Sequence, residues 1–317
     1  MEINRNDTIL VTGGQGFLGH FVCKTLNEKG YENVVPLGGT KDGVDLTDPF
    51  VTEHVFMRHS PSVVLHLAAR VGGIGANKDN PGKFFYDNMS MGMNVIEMAR
   101  RFSVKKLVLT STVCSYPKFT KVPFKEEDIW NGYPEETNAP YGVAKKALME
   151  MSQAYHKQYG LMGVTLVPVN MYGPRDNFDP QSSHVIPALI LKVQEAIDNG
   201  DSEIVVWGTG EASREFLYVE DCAEGIVSAM ERYDSPEPVN LGTGREIKIK
   251  DLVVLIASLM GHSGKIVFDA SKPDGQPRRC LDITKAQKEF GFVAKTDFTA
   301  GLSKTIEWFK NDIRCSI

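Results

Sequence analysis

The chain has 317 residues, 42% hydrophobic and 24% charged, with a formal net charge of -5, which suits a folded protein with a sizeable core. This mild acidity excludes broad electrostatic attraction to nucleic acid or an anionic membrane, so an anionic ligand has to be met by local cations. No stretch reaches the roughly 18 apolar residues of a membrane span, and Met1-Glu2-Ile3-Asn4-Arg5 lacks a signal peptide's apolar region, so a cytoplasmic protein is expected.

The first predicted strand, Thr8–Thr12, runs into Gly13-Gly14-Gln15-Gly16-Phe17-Leu18-Gly19 and a helix over Gly16–Glu28. Strand, glycine turn and helix in that order form a dinucleotide fingerprint: glycine permits close backbone approach, and the free N–H groups of the helix accept a pyrophosphate. Two frames fit, one on Gly14, Gly16 and Gly19 and one on Gly13, Gly16 and Gly19. The second strand, Asn33–Leu37, leads to Gly38-Gly39-Thr40-Lys41 with no acid at its end. An acid there would hold a ribose hydroxyl, whereas Lys41 is placed to neutralise a 2′-phosphate, which favours NADP(H). Asp42 is adjacent, and a solvated loop lysine is the alternative.

Ser62–Leu67 is the third strand, Phe84–Phe102 a helix and Lys106–Ser111 the fourth strand. Beyond it stand Thr112 and Ser111, alternative hydroxyls for orienting a substrate carbonyl. The next helix, Tyr141–Tyr159, opens with Tyr141-x-x-x-Lys145. Four-residue spacing puts both side chains on one helical face. A neighbouring ammonium is expected to pull the phenol below its ordinary value of about 10 and equip it for proton exchange during hydride transfer. Gly163–Val169 is the fifth strand, and Asn170 follows it at the carboxyl edge, where substrates sit.

The pattern then loosens into helices at Val185–Asn199, Val219–Arg232, Lys250–Met260 and Leu302–Lys310 and a strand at Ile204–Trp207, with Asp282 as a helix N-cap. The order predicts an α/β fold, a Rossmann-type doubly wound parallel sheet with a smaller C-terminal lobe. Residues 1–177 are expected to bind NADP(H). Residues 178–317 are expected to form mainly the substrate lobe, with some segments returning to the first domain. The cysteines Cys23, Cys114, Cys222, Cys280 and Cys315 are odd in number and lack CxxC pairing, so they read as free thiols and no metal site.

Several segments together resemble the GDP-L-fucose synthase family of extended short-chain dehydrogenases/reductases. They are Ala68-Ala69-Arg70-Val71-Gly72-Gly73-Ile74, Cys114-Ser115-Tyr116-Pro117-Lys118, Asn138 to Lys145, Asn170 to Phe178, Ser183 to Leu189, Val206-Trp207-Gly208, Arg214-Glu215-Phe216 and Lys272 to Arg278. The resemblance implies epimerisation of GDP-4-keto-6-deoxymannose at C3 and C5, then NADPH reduction at C4 to GDP-L-fucose. It implies that Thr112, Tyr141 and Lys145 serve the reduction, and that Cys114 and His184 serve the epimerisation. Ala68, Ala69, Asn170 and His184 would also face the cofactor. Lys192, Trp207, Arg214 and Arg279, with Asn170, would face the substrate. A homodimer through the helices Phe84–Phe102 and Tyr141–Tyr159 is likewise implied.

Blander readings stand beside these: Cys114 as a small core residue, His184 as a brace for the following helix, Trp207 as core or interface, and the cations as solvated surface. Thr112 stands where bacterial relatives commonly have serine but keeps the hydroxyl. Ser115 departs from an apolar position and leaves the epimerase geometry open. A colitose-forming GDP-sugar enzyme is the nearest rival, ahead of a UDP-sugar 4-epimerase and a catalytically silent NADP(H)-binding regulator.

Overall fold

Runs such as Ile9-Leu10-Val11 and Val63-Val64-Leu65 have no polar side, and all six residues are fully buried. Strands of this kind need cover on both faces, which a parallel sheet obtains from its crossover helices. The structure, a computed structural model, describes residues 2–272 and 275–313. Its strands are β1 (Ile9–Thr12), β2 (Val34–Pro36), β3 (Val63–His66), β4 (Lys106–Thr110), β5 (Gly163–Pro168), β6 (Asn170–Tyr172), β7 (Glu203–Trp207), β8 (Ser213–Tyr218), β9 (Val239–Leu241), β10 (Glu246–Lys248), β11 (Lys265–Asp269) and β12 (Arg278–Arg279). Its helices are α1 (Phe17–Glu28), α2 (Pro49–His59), α3 (Ile74–Asp79), α4 (Pro81–Arg101), α5 (Ala139–Tyr159), α6 (Val185–Asn199), α7 (Val219–Arg232), α8 (Ile249–Met260), α9 (Thr284–Phe290) and α10 (Phe298–Trp308).

Six parallel strands form the main sheet in the order β2-β1-β3-β4-β5-β9. The chain steps from β1 outward to β2 and then crosses back to β3, so the order reverses beside β1. This is a Rossmann-type doubly wound sheet, with its ligand crevice outside the carboxyl ends at the reversal. Alternate residues of β1 serve opposite faces: Ile9 and Val11 pack toward α1 and α7, and Leu10 toward α2 and α4. β9 and α7 lie beyond residue 177 yet belong to this sheet.

A second apolar cluster gathers α6, α8 and α10 around β7 and β8. β8 pairs with β10 and β12, and also with β6, which leaves the carboxyl end of β5. The smaller group of strands is thereby tied to the sheet edge where the crevice opens. Among the described residues, no helix is long and apolar enough to cross a membrane.

Boundaries move where capping decides them. α10 begins at Phe298 and not Leu302, because the Asp297 carboxylate accepts from Ala300 N at 3.0 Å. Asp282 stands one residue before the N-cap of α9, which is Ile283, although its carboxylate accepts from Thr284 N at 2.9 Å.

His66 ends β3 fully enclosed, with Nδ1 2.8 Å from the Thr12 hydroxyl. Burial, aided by the Lys145 charge, pushes its pKa down to about 3. The unfolded chain takes up this proton from about pH 6.5 downward, whereas the folded chain refuses it until about 3. Stability is therefore full above that range and falls as pH drops, by about 1.4 kcal/mol per pH unit from this group alone. His66→Asn is expected to flatten that part of the acid limb. Urea unfolding of both proteins between about pH 4 and 7 measures the difference, and parallel curves would refute the assignment.

Candidate active site

The turn after β1 is built from backbone contacts that side chains would block. Gly13 has φ +69°, and a Cβ on Gly19 would fall 2.0 Å from the Gly13 carbonyl oxygen. Gly16 is the N-cap of α1, and Gly14 abuts Pro36 of β2. Both glycine frames are therefore used, for different contacts. Gln15 and Gly16 form the exposed crest, Phe17 is half-buried, and Leu18 is buried. Ala68 and Ala69, following β3, complete this edge: Ala68 lies against Gly13, and its N–H donates to the Thr12 hydroxyl at 3.2 Å. Asp42 folds back so that its carboxylate accepts from Gly39 N at 3.2 Å. The Lys41 side chain lies outside the described residues.

At the end of β4 the chain makes a short turn, Val113–Ser115, capped by the Thr112 hydroxyl, which accepts from Cys114 N at 3.2 Å. Thr112 also meets the Tyr141 phenol. Ser111, the alternative, is buried and engaged with the Ser115 hydroxyl at 3.2 Å, while Ser115 donates to Gly142 O at 3.2 Å. A hydroxyl at position 115 is thus satisfied internally. Thr112, Cys114 and Tyr141 converge.

Lys145 differs from expectation. Its buried ammonium donates to Thr110 O at 3.0 Å, and burial lowers its pKa to about 8. Burial likewise pushes the Tyr141 phenol well above 10, reinforced by Cys114 and opposed by the Thr112 hydroxyl. The expected lowering of the phenol by the lysine is absent because the ammonium is spent on a backbone carbonyl and both groups have lost water.

His184 is the N-cap of α6. Its side chain reaches solvent from inside a crevice, and loss of surrounding water lowers its pKa. The segment before it rests on the loop after Ala69, with Gly73 N donating to Ser182 O at 3.0 Å. Among the described residues no bond joins His184 to Cys114.

Asn170 opens β6 and donates to Glu215 O at 3.2 Å, tying the end of β5 to β8. Arg214 on β8 and Arg279 on β12 are register partners. Arg214 donates to Ser213 O at 2.7 Å. Arg279 is buried and donates to Gln276 at 2.7 Å and to the Cys114 sulfur at 3.5 Å. Trp207 is 66% exposed, with Lys192 and Lys272 each 5.7 Å from its ring centre. Lys192 also donates to Val205 O at 3.0 Å. Gln276 and Lys272 went unassigned in the sequence, since nothing local marks a partner so distant along the chain. No cluster of three His, Cys, Asp or Glu side chains suited to a metal ion occurs among the described residues.

A glycine-cradled crevice beside a tyrosine–lysine pair defines a nucleotide-cofactor enzyme of the epimerase and dehydratase class. The chain belongs to the NAD dependent epimerase/dehydratase family, whose model matches residues 9–242. It is 39% identical over 310 residues to the GDP-L-fucose synthase 1 of Arabidopsis thaliana, covering 98% of this chain and 95% of that one. A GDP-L-fucose synthetase from Naegleria fowleri, solved bound to NADP, is similar with a TM-score of 0.90 and 30% identity, over 99% of this chain and 97% of the other. A GDP-6-OMe-4-keto-L-xylo-heptose reductase from C. jejuni matches with a TM-score of 0.91 and 28% identity, over 98% and 99% of the two chains.

A raised Tyr141 pKa keeps the phenol protonated through neutral pH. Ultraviolet titration of the wild type against Tyr141→Phe is expected to show no extra phenol ionising below about pH 10. Ionisation near neutrality would contradict the burial described here.

Proposed function

We propose that this chain converts GDP-4-keto-6-deoxymannose to GDP-L-fucose with NADPH, inverting C3 and C5 and then reducing C4. The observation that carries this reading is the convergence of Cys114 with Thr112 and Tyr141 at the end of β4. A simple ketone reductase needs the hydroxyl pair but no thiol beside it. Residues 1–177 hold the dinucleotide and 178–317 chiefly the sugar nucleotide, with β9 and α7 returning to the first part.

The turn from Gly13 to Gly19 fits a dinucleotide: Gly19 lets α1 pack directly on the Gly13 carbonyl, which leaves Gln15 and Gly16 at the exposed N-terminal end of the helix where a pyrophosphate would sit. Ala68, Ala69, Asn170 and His184 border that cofactor, and Lys41 is assigned to its 2′-phosphate on sequence grounds. When bound, NADPH supplies the hydride for C4. Tyr141, protonated at neutral pH, gives its proton to the C4 oxygen, and the Thr112 hydroxyl bonds the same atom. Lys145, anchored on Thr110 and largely charged below about pH 8, stabilises the phenolate left behind.

In the earlier stage the C4 ketone acidifies the C3 and C5 hydrogens, and Cys114 and His184 exchange protons there on opposite faces. Arg214, with Arg279 beside it, and Lys192 meet the diphosphate, for which guanidinium groups have the matching geometry. The open face of Trp207 takes the guanine. A homodimer completes the proposal, covering Phe85, Tyr86 and Met93 of α4 and Tyr159 of α5, which are exposed. The free thiols Cys23, Cys114, Cys222 and Cys280 suit a reducing cytoplasm.

Incubation with the keto sugar nucleotide and NADPH in deuterated water, followed by NMR, is expected to give GDP-L-fucose labelled at C3 and C5. Tyr141→Phe should keep the label exchange while NADPH oxidation falls about 10²–10⁴-fold. Cys114→Ser should do the reverse, reducing C4 without inversion. A wild-type product with C3 and C5 unchanged would reject the reading in favour of a plain C4 reductase. Gly19→Ala is expected to weaken NADPH binding, followed by its fluorescence, by about tenfold or more. Unaltered affinity would place the cofactor elsewhere.

A further inference from the structure

His66, Leu109 and Thr165 are register partners on β3, β4 and β5, so their side chains stand in one row on the same face of the sheet. Leu148 and Met149 of α5 close over that row and leave a cavity with about 10 Å³ open to the centre of a water molecule, lined also by Lys145. Every residue of its wall is a described one. Most polar atoms there are already spent. The Lys145 ammonium donates to Thr110 O at 3.0 Å, the Thr110 hydroxyl donates to His66 O at 3.1 Å, and the Ser111 hydroxyl meets that of Ser115. His66 turns Nδ1 to the Thr12 hydroxyl at 2.8 Å. Two buried polar atoms of the wall remain, His66 Nε2 and Thr165 Oγ1, and neither has a hydrogen-bond partner among the described residues.

An internal water needs room for its centre and two to four polar partners, and this cavity offers the room and three partners. A bare polar atom inside a sheet is costly, and one water satisfies both of these at once. We propose that the cavity is the seat of a single internal water, held by His66 Nε2, Thr165 Oγ1 and the Lys145 ammonium, and that His66 and Thr165 act through it as positioning residues for Lys145. The water serves either imidazole tautomer, since it accepts from an Nε2 that carries hydrogen and donates to one that does not. An ammonium has three N–H groups. Thr110 O takes one and the water a second, which fixes the direction of the third. His66 and Lys145 are the only titratable groups in the wall, and Tyr141 lies one turn before Lys145 on α5. Because His66 stays neutral down to about pH 3, the seat gives the ammonium an acceptor without setting a second cation against it. The seat follows from this geometry, whereas its effect on rate rests on the role given to Lys145 in the function proposed above.

A high-resolution crystal structure of the wild type is expected to show one ordered water within hydrogen-bond reach of all three groups, and Thr165→Val, of nearly the same shape, should lose it. The charge on Lys145 is read without substrate from the NMR shift of its Cε. An ammonium deprived of an acceptor gives up its proton more readily, so the midpoint, about 8 in the wild type, should fall by about a unit in Thr165→Val. The basic limb of kcat for NADPH oxidation should move down by the same amount with KM unchanged. Thr165→Ser, which keeps a hydroxyl, should restore water, midpoint and limb together. If Thr165→Val does not fold, the wild-type crystal still decides the seat, and His66→Leu reads the midpoint. A wild-type seat without a water overturns the inference. So do midpoints that stay in place when the water is lost, even with a lower unfolding temperature, which signals packing alone. A seated water and a shifted Lys145 midpoint in a protein that makes no GDP-L-fucose would uphold the inference and remove the activity. GDP-L-fucose made by a protein whose seat holds no water would do the opposite.

Discussion

The site depends on how closely the end of β4 can meet the first turns of α5. A Cβ on Gly142 would lie 2.3 Å from the Cys114 carbonyl oxygen, so only glycine lets the two backbones touch. With the backbones in contact, Ser115 reaches Gly142 O and Lys145 reaches Thr110 O. Water is excluded from the junction. The same exclusion moves the phenol up and the ammonium down, each toward its neutral form. Geometry and protonation state thus share one cause, the tight seam between a strand end and a helix start.

The other half of the crevice hangs on a buried carboxylate. Glu215, in the middle of β8, accepts from Gly244 N at 2.7 Å and Leu281 N at 2.6 Å, and also from Thr243. Burial raises its pKa and these N–H groups oppose the rise. Breaking one partner of such a group leaves the rest uncompensated, so the cluster acts as a unit. Through it, the strand that carries Arg214 is fixed to the one that carries Arg279. Asn240 makes a comparable junction for the main sheet, taking the Tyr116 hydroxyl at 2.7 Å and donating to Phe124 O and Asp282 O.

What was legible in the sequence was local. The glycine turn after Thr8–Thr12 and the four-residue step from Tyr141 to Lys145 carry their geometry in consecutive residues, and five strands were plain from unbroken apolar runs, although β2, expected to be buried, is a half-exposed edge strand with a neighbour on one side only. α2 was not read, because its start depends on Asp48 accepting from Phe50 N and its apolar stripe is weak. β8 escaped because Arg214 and Glu215 interrupt its apolar pattern, and their place in a sheet makes sense only once distant N–H groups arrive. β9 is three residues long, too short for any period to show. The reach of Lys145 to a backbone carbonyl, and of Arg279 to a sulfur 165 positions away, leaves no mark in composition or spacing.

The bonds to Glu215 also set an order on biosynthesis. A ribosome releases β8 long before it releases Leu281, so the emerging polypeptide carries an acid whose last donor has yet to be made. Arg279 leaves the exit tunnel at the same late stage. The crevice is therefore among the final features to mature, and a product shortened before residue 281 would strand that acid in an unfinished interior.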